Sequence, residues 1–380
     1  MRTAAVYRDH MDERVRQHAA TLVDWSARVE PGDDVIVSVS EGAHELAVAV
    51  AEKLGEVGAN LVTTYGSGEV TRAYLSAHEG EFADEHSHEM ALFEAADVYL
   101  RLGGGRNAAA TADIPAPQRQ NYRTARQDVR EARMSTDWVS TVHPTRSLAQ
   151  KAGMAYEEYQ DFAYEAILRD WESLAGQMGQ MKEILDDGNE VRLVTHREDA
   201  PDTDLTMSVS GRTAVNSAAS VAYESHNLPS GEVFTAPYAT DGQVFFDVPM
   251  TINGTRVTDV RLDFEDGEVV EYAANAGEAE LASILETDPG ARRLGELGIG
   301  MNRGIDEFTD SILFDEKMGD TVHLAVGRAY DACLPEGDQG NDSAVHVDMI
   351  SDVSAASRLE VDGEIIQQNG SFRWEDGFEA

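Results

Sequence analysis

Alternating strand and helix patterns run through the first 150 residues, and that rhythm restricts the possible folds more than any other feature. Val35, Val37 and Val39 alternate with other residues after the turn Pro31-Gly32-Asp33, as in a strand. Ala43, Leu46, Ala47, Val50 and Leu54 follow at helical spacing, and Gly58 supplies a stop. Residues 60–65 and 97–102 read as strands, 118–134 as a polar helical stretch, and 138–142 as a strand before Pro144. This succession implies an open, mostly parallel sheet flanked by helices. Residues 154–185 read as one long helix, with Tyr156, Tyr159, Phe162, Ala163, Ala166 and Ile167 as its apolar stripe. After Gly188 the pattern changes to short strands at 191–194, 205–209, 233–237, 244–248 and 257–264. Asn253-Gly254 and Asp266-Gly267 are hairpin signals. Helical stretches return at 278–285 and 324–331. The expected organisation is an α/β N-terminal domain over 1–150 with a mostly parallel sheet, then an α+β domain over 151–380. The second includes the long helix 154–185.

Charge narrows the partners. Seventy acidic against thirty basic residues give a net charge of −40 over 380 residues, spread along the whole chain. Nucleic acid and anionic membrane both require a concentrated basic face, so neither is expected as a partner. Such a charge repels itself in dilute salt and is screened in concentrated salt. Lysine occurs only at Lys53, Lys151, Lys182 and Lys317, so the other basic residues are arginine. We read this as adaptation to a salty, halophilic cytoplasm. A melting midpoint that rises between low and molar salt is the expected result; a flat one would remove the reading. Cys333 is the sole cysteine, which excludes an intrachain disulfide and fits a reducing compartment. No run approaches the 18 or so apolar residues of a membrane span, and the N-terminus lacks a signal-type apolar region. The expectation is a soluble cytoplasmic protein.

Two clusters in the first half read plainly. Gly103-Gly104-Gly105 follows a strand and could cradle a phosphate, but it lacks both dinucleotide and P-loop spacing, and a tight turn explains it. In Glu85-His86-Ser87-His88-Glu89 the two imidazoles would point about 200° apart on a helix, so a solvated patch is the simpler reading. The second half is richer. His346-Val347-Asp348 lies in an apolar run, and residues two apart on a strand share a face. Residues 321–330 read as a helix start, which would bring His323 and Tyr330 onto one face with Gly327 between them. Glu232 and Glu296 sit among glycines, whose small size lets another group approach. Taken singly, each has a plain alternative: a turn acid or a satisfied core histidine.

Together the strings resemble the aminopeptidase T family of metallo-aminopeptidases, which includes the bacterial aminopeptidases S. The strings are Asn227 through Pro237, Leu294-Gly295-Glu296, His323 through Tyr330, and Asn341 through Asp348, in the family order. The resemblance implies two divalent metal ions held by six side chains: Glu232, Glu296, His323, Tyr330, His346 and Asp348. It implies a homodimer whose first domains help enclose a substrate chamber, admitting short or unfolded peptides. Oxygen and imidazole ligands without thiolate suit Zn²⁺, Co²⁺, Mn²⁺ or Mg²⁺. The implied activity is removal of N-terminal residues by a metal-activated water, since bound metal can bring a water's pKa near 7. A second ion would anchor the free α-amine.

Two residues receive catalytic expectations. An unligated oxygen of Glu296 is the candidate general base, with Glu316 as an alternative that would orient His323. Tyr330 would ligate as phenolate or donate a hydrogen bond to the tetrahedral intermediate. The competing enzyme reading is a ring-cleaving dioxygenase, in which His323, His346 and Asp348 hold one non-haem iron. It leaves Glu232, Glu296 and Tyr330 without a task. A non-enzymatic reading would have a metal-stabilised chain bind a nucleotide at Gly103–Gly105.

Overall fold

In the computed structural model, which describes residues 11–252, 254–376 and 378, the strand–helix alternation becomes a five-stranded sheet. Its order is Asn60–Gly66, Asp34–Ser40, Val98–Gly103, Asp137–Val142, Asn227–Leu228, and every neighbouring pair is parallel. The helix His44–Val57 buries Leu46, Ala47, Val50 and Leu54 and ends at Gly58, whose φ of 89° only glycine adopts freely. The polar stretch expected at 118–134 is two helices, Ala116–Thr124 and Gln127–Met134. The triple glycine is a tight turn. Gly104 has φ 126°, and a Cβ there would lie 2.9 Å from the His143 carbonyl oxygen.

The chain through Arg169, with Ala219–Pro229, forms one compact unit; Asp170–Ala218 with Ser230–Ala380 forms the other. The single helix expected over 154–185 is instead two, Tyr156–Ile167 and Trp171–Asp187. The Asp170 carboxylate accepts a hydrogen bond from Ser173 N and starts the second helix, so a cap overrides the continuous apolar stripe. The unit boundary falls at that break.

The first unit buries two histidines. His18 Nε2 lies 2.7 Å from Thr141 Oγ1, and neither His18 nor His143 has a partner for Nδ1 among the described residues. Burial, with His143 nearby, lowers the His18 pKa from 6.5 to about 3, and burial lowers His143 to about 4. In the unfolded chain each imidazole takes a proton near pH 6.5. In the folded chain it does so only near 3 or 4. Their neutral burial is therefore tolerated fully above pH 6.5, and stability falls as pH drops through that window. For His18 the loss is on the order of a few kcal/mol. We expect His18→Gln to flatten the fall in melting temperature between pH 7 and 4.5. Equal slopes in variant and wild type would contradict this.

The second unit carries two large antiparallel sheets. The eight-stranded one runs Glu268–Ala273, Val260–Glu265, Tyr238–Phe246, Thr203–Ser208, Glu190–Thr195, Ser357–Val361, Glu364–Gln368, Ser371–Phe372. Asp266 (φ 52°) and Gly267 (φ 80°) make the hairpin turn between its first two strands, the double positive φ of a type I′ turn. Of the other hairpin signal, Asn253 lies outside the described residues; the flanking strands Met250–Ile252 and Thr255–Val257 pair antiparallel. The helix Glu278–Leu285 forms where expected.

The five-stranded sheet runs His346–Asp352, Thr321–Gly327, Leu294–Gly300, Glu232–Thr235, Val215–Ser217. Helix Trp171–Asp187 packs on it, with Asn216 Nδ2 donating to the Ala175 carbonyl at 3.0 Å. The helix expected from Thr321, and again at 324–331, is corrected: Thr321–Gly327 is a strand buried at every position. A strand covered on both faces is apolar throughout, and its sequence then shows neither period. Gly327, at φ 106°, ends it. Among the described residues no helix is long and apolar enough to cross a membrane.

Candidate metal centre

Strand register builds the site. Residues paired across an antiparallel sheet share a face, as do residues two apart along a strand. Glu296 pairs with Ala325, and Ala325 with Asp348. Gly298 pairs with His323, Gly300 with Glu232, and Gly327 with His346. Glu232, Glu296, His323, His346 and Asp348 therefore project from one face, each opposite or beside a glycine or alanine. The small residues make the room. A Cβ on Gly298 would lie 2.0 Å from Cε1 and Nε2 of His323, where the imidazole now sits. Gly295 occupies a bulge, and a Cβ there would meet the carbonyl oxygens of Gly327 and Arg328 at 2.4 Å.

Among the described residues, two groups have ligand atoms within 4.8 Å of one another: Glu232, Glu296, His323 and Glu296, His346, Asp348. Glu296 belongs to both. Its Oε1 lies 3.4 Å from His323 Nε2, and its Oε2 lies 3.0 Å from His346 Nε2. Glu232 Oε2 is 3.6 Å from His323 Nε2, and Asp348 Oδ1 is 3.4 Å from His346 Nε2. Ligands about 2.0–2.2 Å from a tetrahedral ion stand roughly 3.3–3.6 Å apart, so three of these separations fit a shared cation, while the 3.0 Å between Glu296 and His346 is hydrogen-bond distance. Glu232 Oε2 is buried without a hydrogen-bond partner among the described residues, as an atom awaiting an ion would be. His346 Nδ1 lies 2.8 Å from the Arg328 carbonyl oxygen, which can only accept; Nδ1–H donates, and Nε2 faces the carboxylates.

The electrostatics fit the same picture. Burial, with the charges of Glu296 and Asp348, pushes Glu232 above the ordinary carboxylate range, and Lys317 and His323 oppose it. Burial also pushes on Glu296, but hydrogen bonds from His323 and His346 outweigh it and hold that carboxyl low. His346 loses from burial but gains more from Asp348 and Glu296, and rises to about 10. A bound cation would require Glu232 and His346 to give up any proton they hold.

Tyr330 follows the His323 strand. Its ring lies 4.8 Å from that of His346 and 5.7 Å from that of Phe234, and the residue is 48% exposed. Burial and the site carboxylates push its phenol up, so without a cation it is a neutral hydrogen-bond donor. Both Glu296 oxygens face imidazoles. Glu316 pairs with Lys317 and not with His323. Lys317 has a side chain with no exposure and lies 3.4 Å from Glu232 Oε1. Nothing in the string Glu316-Lys317 signals that burial. His86 and His88 lie at the start of the helix Ser87–Glu94, in the other unit.

Carboxylates and imidazoles grouped around ion-sized gaps define a candidate metal centre. A family model described as thermophilic metalloprotease (M29) matches residues 11–372, and the chain belongs to that family. Aminopeptidase T of Thermus thermophilus is 29% identical, with 93% of this chain and 95% of that protein covered. Aminopeptidase 2 of Geobacillus stearothermophilus is 26% identical, with 93% and 94% covered. The structure of wild-type AmpT from Thermus thermophilus matches with a TM-score of 0.80 at 24% identity, over 95% of this chain and 99% of that one, which shows a shared fold.

Proposed function

We propose that this chain is a metal-dependent aminopeptidase whose centre holds two divalent cations, one in each ligand group, with Glu296 reaching both. The observation that carries it is the division of the Glu296 carboxylate, one oxygen toward each histidine. When bound, divalent cations supply Lewis acidity at the scissile carbonyl and activate a water. The chain's own residues do the rest. Glu296 spaces the two groups. The Arg328 carbonyl fixes the tautomer of His346. Tyr330, beside His346 and half open to solvent, donates to the oxygen of the reacting carbonyl. Glu232, Glu296 and Asp348 give the face the negative charge that attracts a substrate α-amine. The single-iron dioxygenase reading is set aside, because it gives Glu232 and Glu296 nothing to do. A homodimer acting on short or unfolded peptides in a salty cytoplasm belongs to the same proposal; a monomer mass by light scattering in molar salt would remove the dimer.

The test is release of the N-terminal residue from a short peptide. We expect release with added Zn²⁺, Co²⁺ or Mn²⁺, loss after chelation, recovery on add-back, and no cleavage of the N-acetylated peptide. Cleavage that survives chelation, or that ignores acetylation, would contradict the proposal.

A further inference from the structure

Lys317 has no part in the chemistry above, yet its burial demands a reason. A lysine is almost never fully enclosed unless it is paired. Its ammonium is held between the carboxylates of Glu316 and Glu232, the latter at 3.4 Å through Oε1. Asp315, two residues before Lys317, fastens this segment. Asp315 Oδ1 accepts from Thr309 N at 2.9 Å and Thr309 Oγ1 at 2.7 Å, and Oδ2 accepts from Ser311 N at 2.8 Å. The two oxygens of Glu232 are thus employed differently: Oε1 faces Lys317, and Oε2 faces His323 with no hydrogen-bond partner among the described residues.

We propose that Lys317 is a positioning residue that reserves Oε1 of Glu232, so that this glutamate offers a divalent cation Oε2 alone and leaves one coordination position for substrate. The inference rests on the peptidase reading and deepens it. A compact ammonium suits the task where the planar guanidinium of arginine, this chain's usual cation, would need a wider slot. The charge argument has a definite sign. Removing one positive charge beside Glu232 favours a dication more than the competing proton, and it frees Oε1 to join Oε2 on the same ion. Metal binding should tighten while turnover falls, opposite to the loss of an ordinary structural prop.

The experiment is Mn²⁺ titration by calorimetry into the metal-stripped full chain, with kcat and KM on a short peptide, for wild type and Lys317→Met. We expect the dissociation constant of one ion to fall about fivefold or more, kcat to fall about tenfold, and KM to stay within about twofold. Unchanged or weaker Mn²⁺ binding overturns the proposal, and so does an unchanged kcat. Should Lys317→Met fail to fold, the double variant Glu316→Gln with Lys317→Met removes the pair without changing net charge and so tests the freeing of Oε1 alone: Mn²⁺ binding at least as tight as in wild type with kcat down about tenfold supports the proposal, and weaker binding or an unchanged kcat overturns it. A wild-type chain that binds no Mn²⁺ or releases no N-terminal residue overturns the peptidase reading instead.

Discussion

Glu296→Gln should leave the fold intact and lower kcat about a thousandfold or more, roughly 4 kcal/mol of transition-state stabilisation. The amide matches the carboxylate in size, so the packing of the Leu294–Gly300 strand, buried at every position, survives. The function does not. One end of the amide is an NH₂ group that cannot ligate, and the charge shared by both groups is gone. Among the described residues no other belongs to both groups. On the proposed two-ion reading, replacing it would disturb both ions at once, where loss of Glu232 or Asp348 would touch one. Circular dichroism checks the fold and steady-state kinetics the loss. Activity within tenfold of wild type in a folded variant would be incompatible with a bridging role.

The second large effect is steric. Gly298→Ala adds a single carbon, but its position is 2.0 Å from the His323 ring, against ordinary contacts of 3.4–4 Å. The imidazole must move by more than an ångström, and a misplacement of that size costs about a hundredfold in rate. Overpacking should also lower stability by about 1–3 kcal/mol. Gly55 is the control. It lies within the helix His44–Val57 with nothing within 4 Å of an added Cβ, so Gly55→Ala should stabilise by about 0.5–1 kcal/mol and leave activity alone. If Gly298→Ala turns over peptide as well as Gly55→Ala does, His323 is not held where the site requires it.

The legible parts of this chain were those in which a single period survives. Val35, Val37 and Val39 announced their strand because the less buried Ser38 and Ser40 alternate with the buried Val37 and Val39. His346 and Asp348 announced a shared face because their spacing equals the strand period. The His323 segment was misread because both of its faces are buried, and an apolar run such as Val322 through Val326 carries no period to read. His323 still reaches the site, through pairing with Gly298 instead of a helical turn. The break at 168–170 was hidden by an apolar stripe that continues across it, while the decisive signal was the single cap at Asp170. Lys317 was illegible for a different reason. A lysine beside a glutamate usually marks solvent, and only the fold brings Glu232 to its other side.

The central claim is that one sheet face grips a pair of cations. Counting bound divalent metal per chain, in wild type and in the double variant His323→Ala with His346→Ala, tests it most directly. We predict about two ions in the wild type and fewer than about one in the variant, which lacks an imidazole from each group. A wild type that saturates at one ion or none, or a variant that keeps both, would contradict the account.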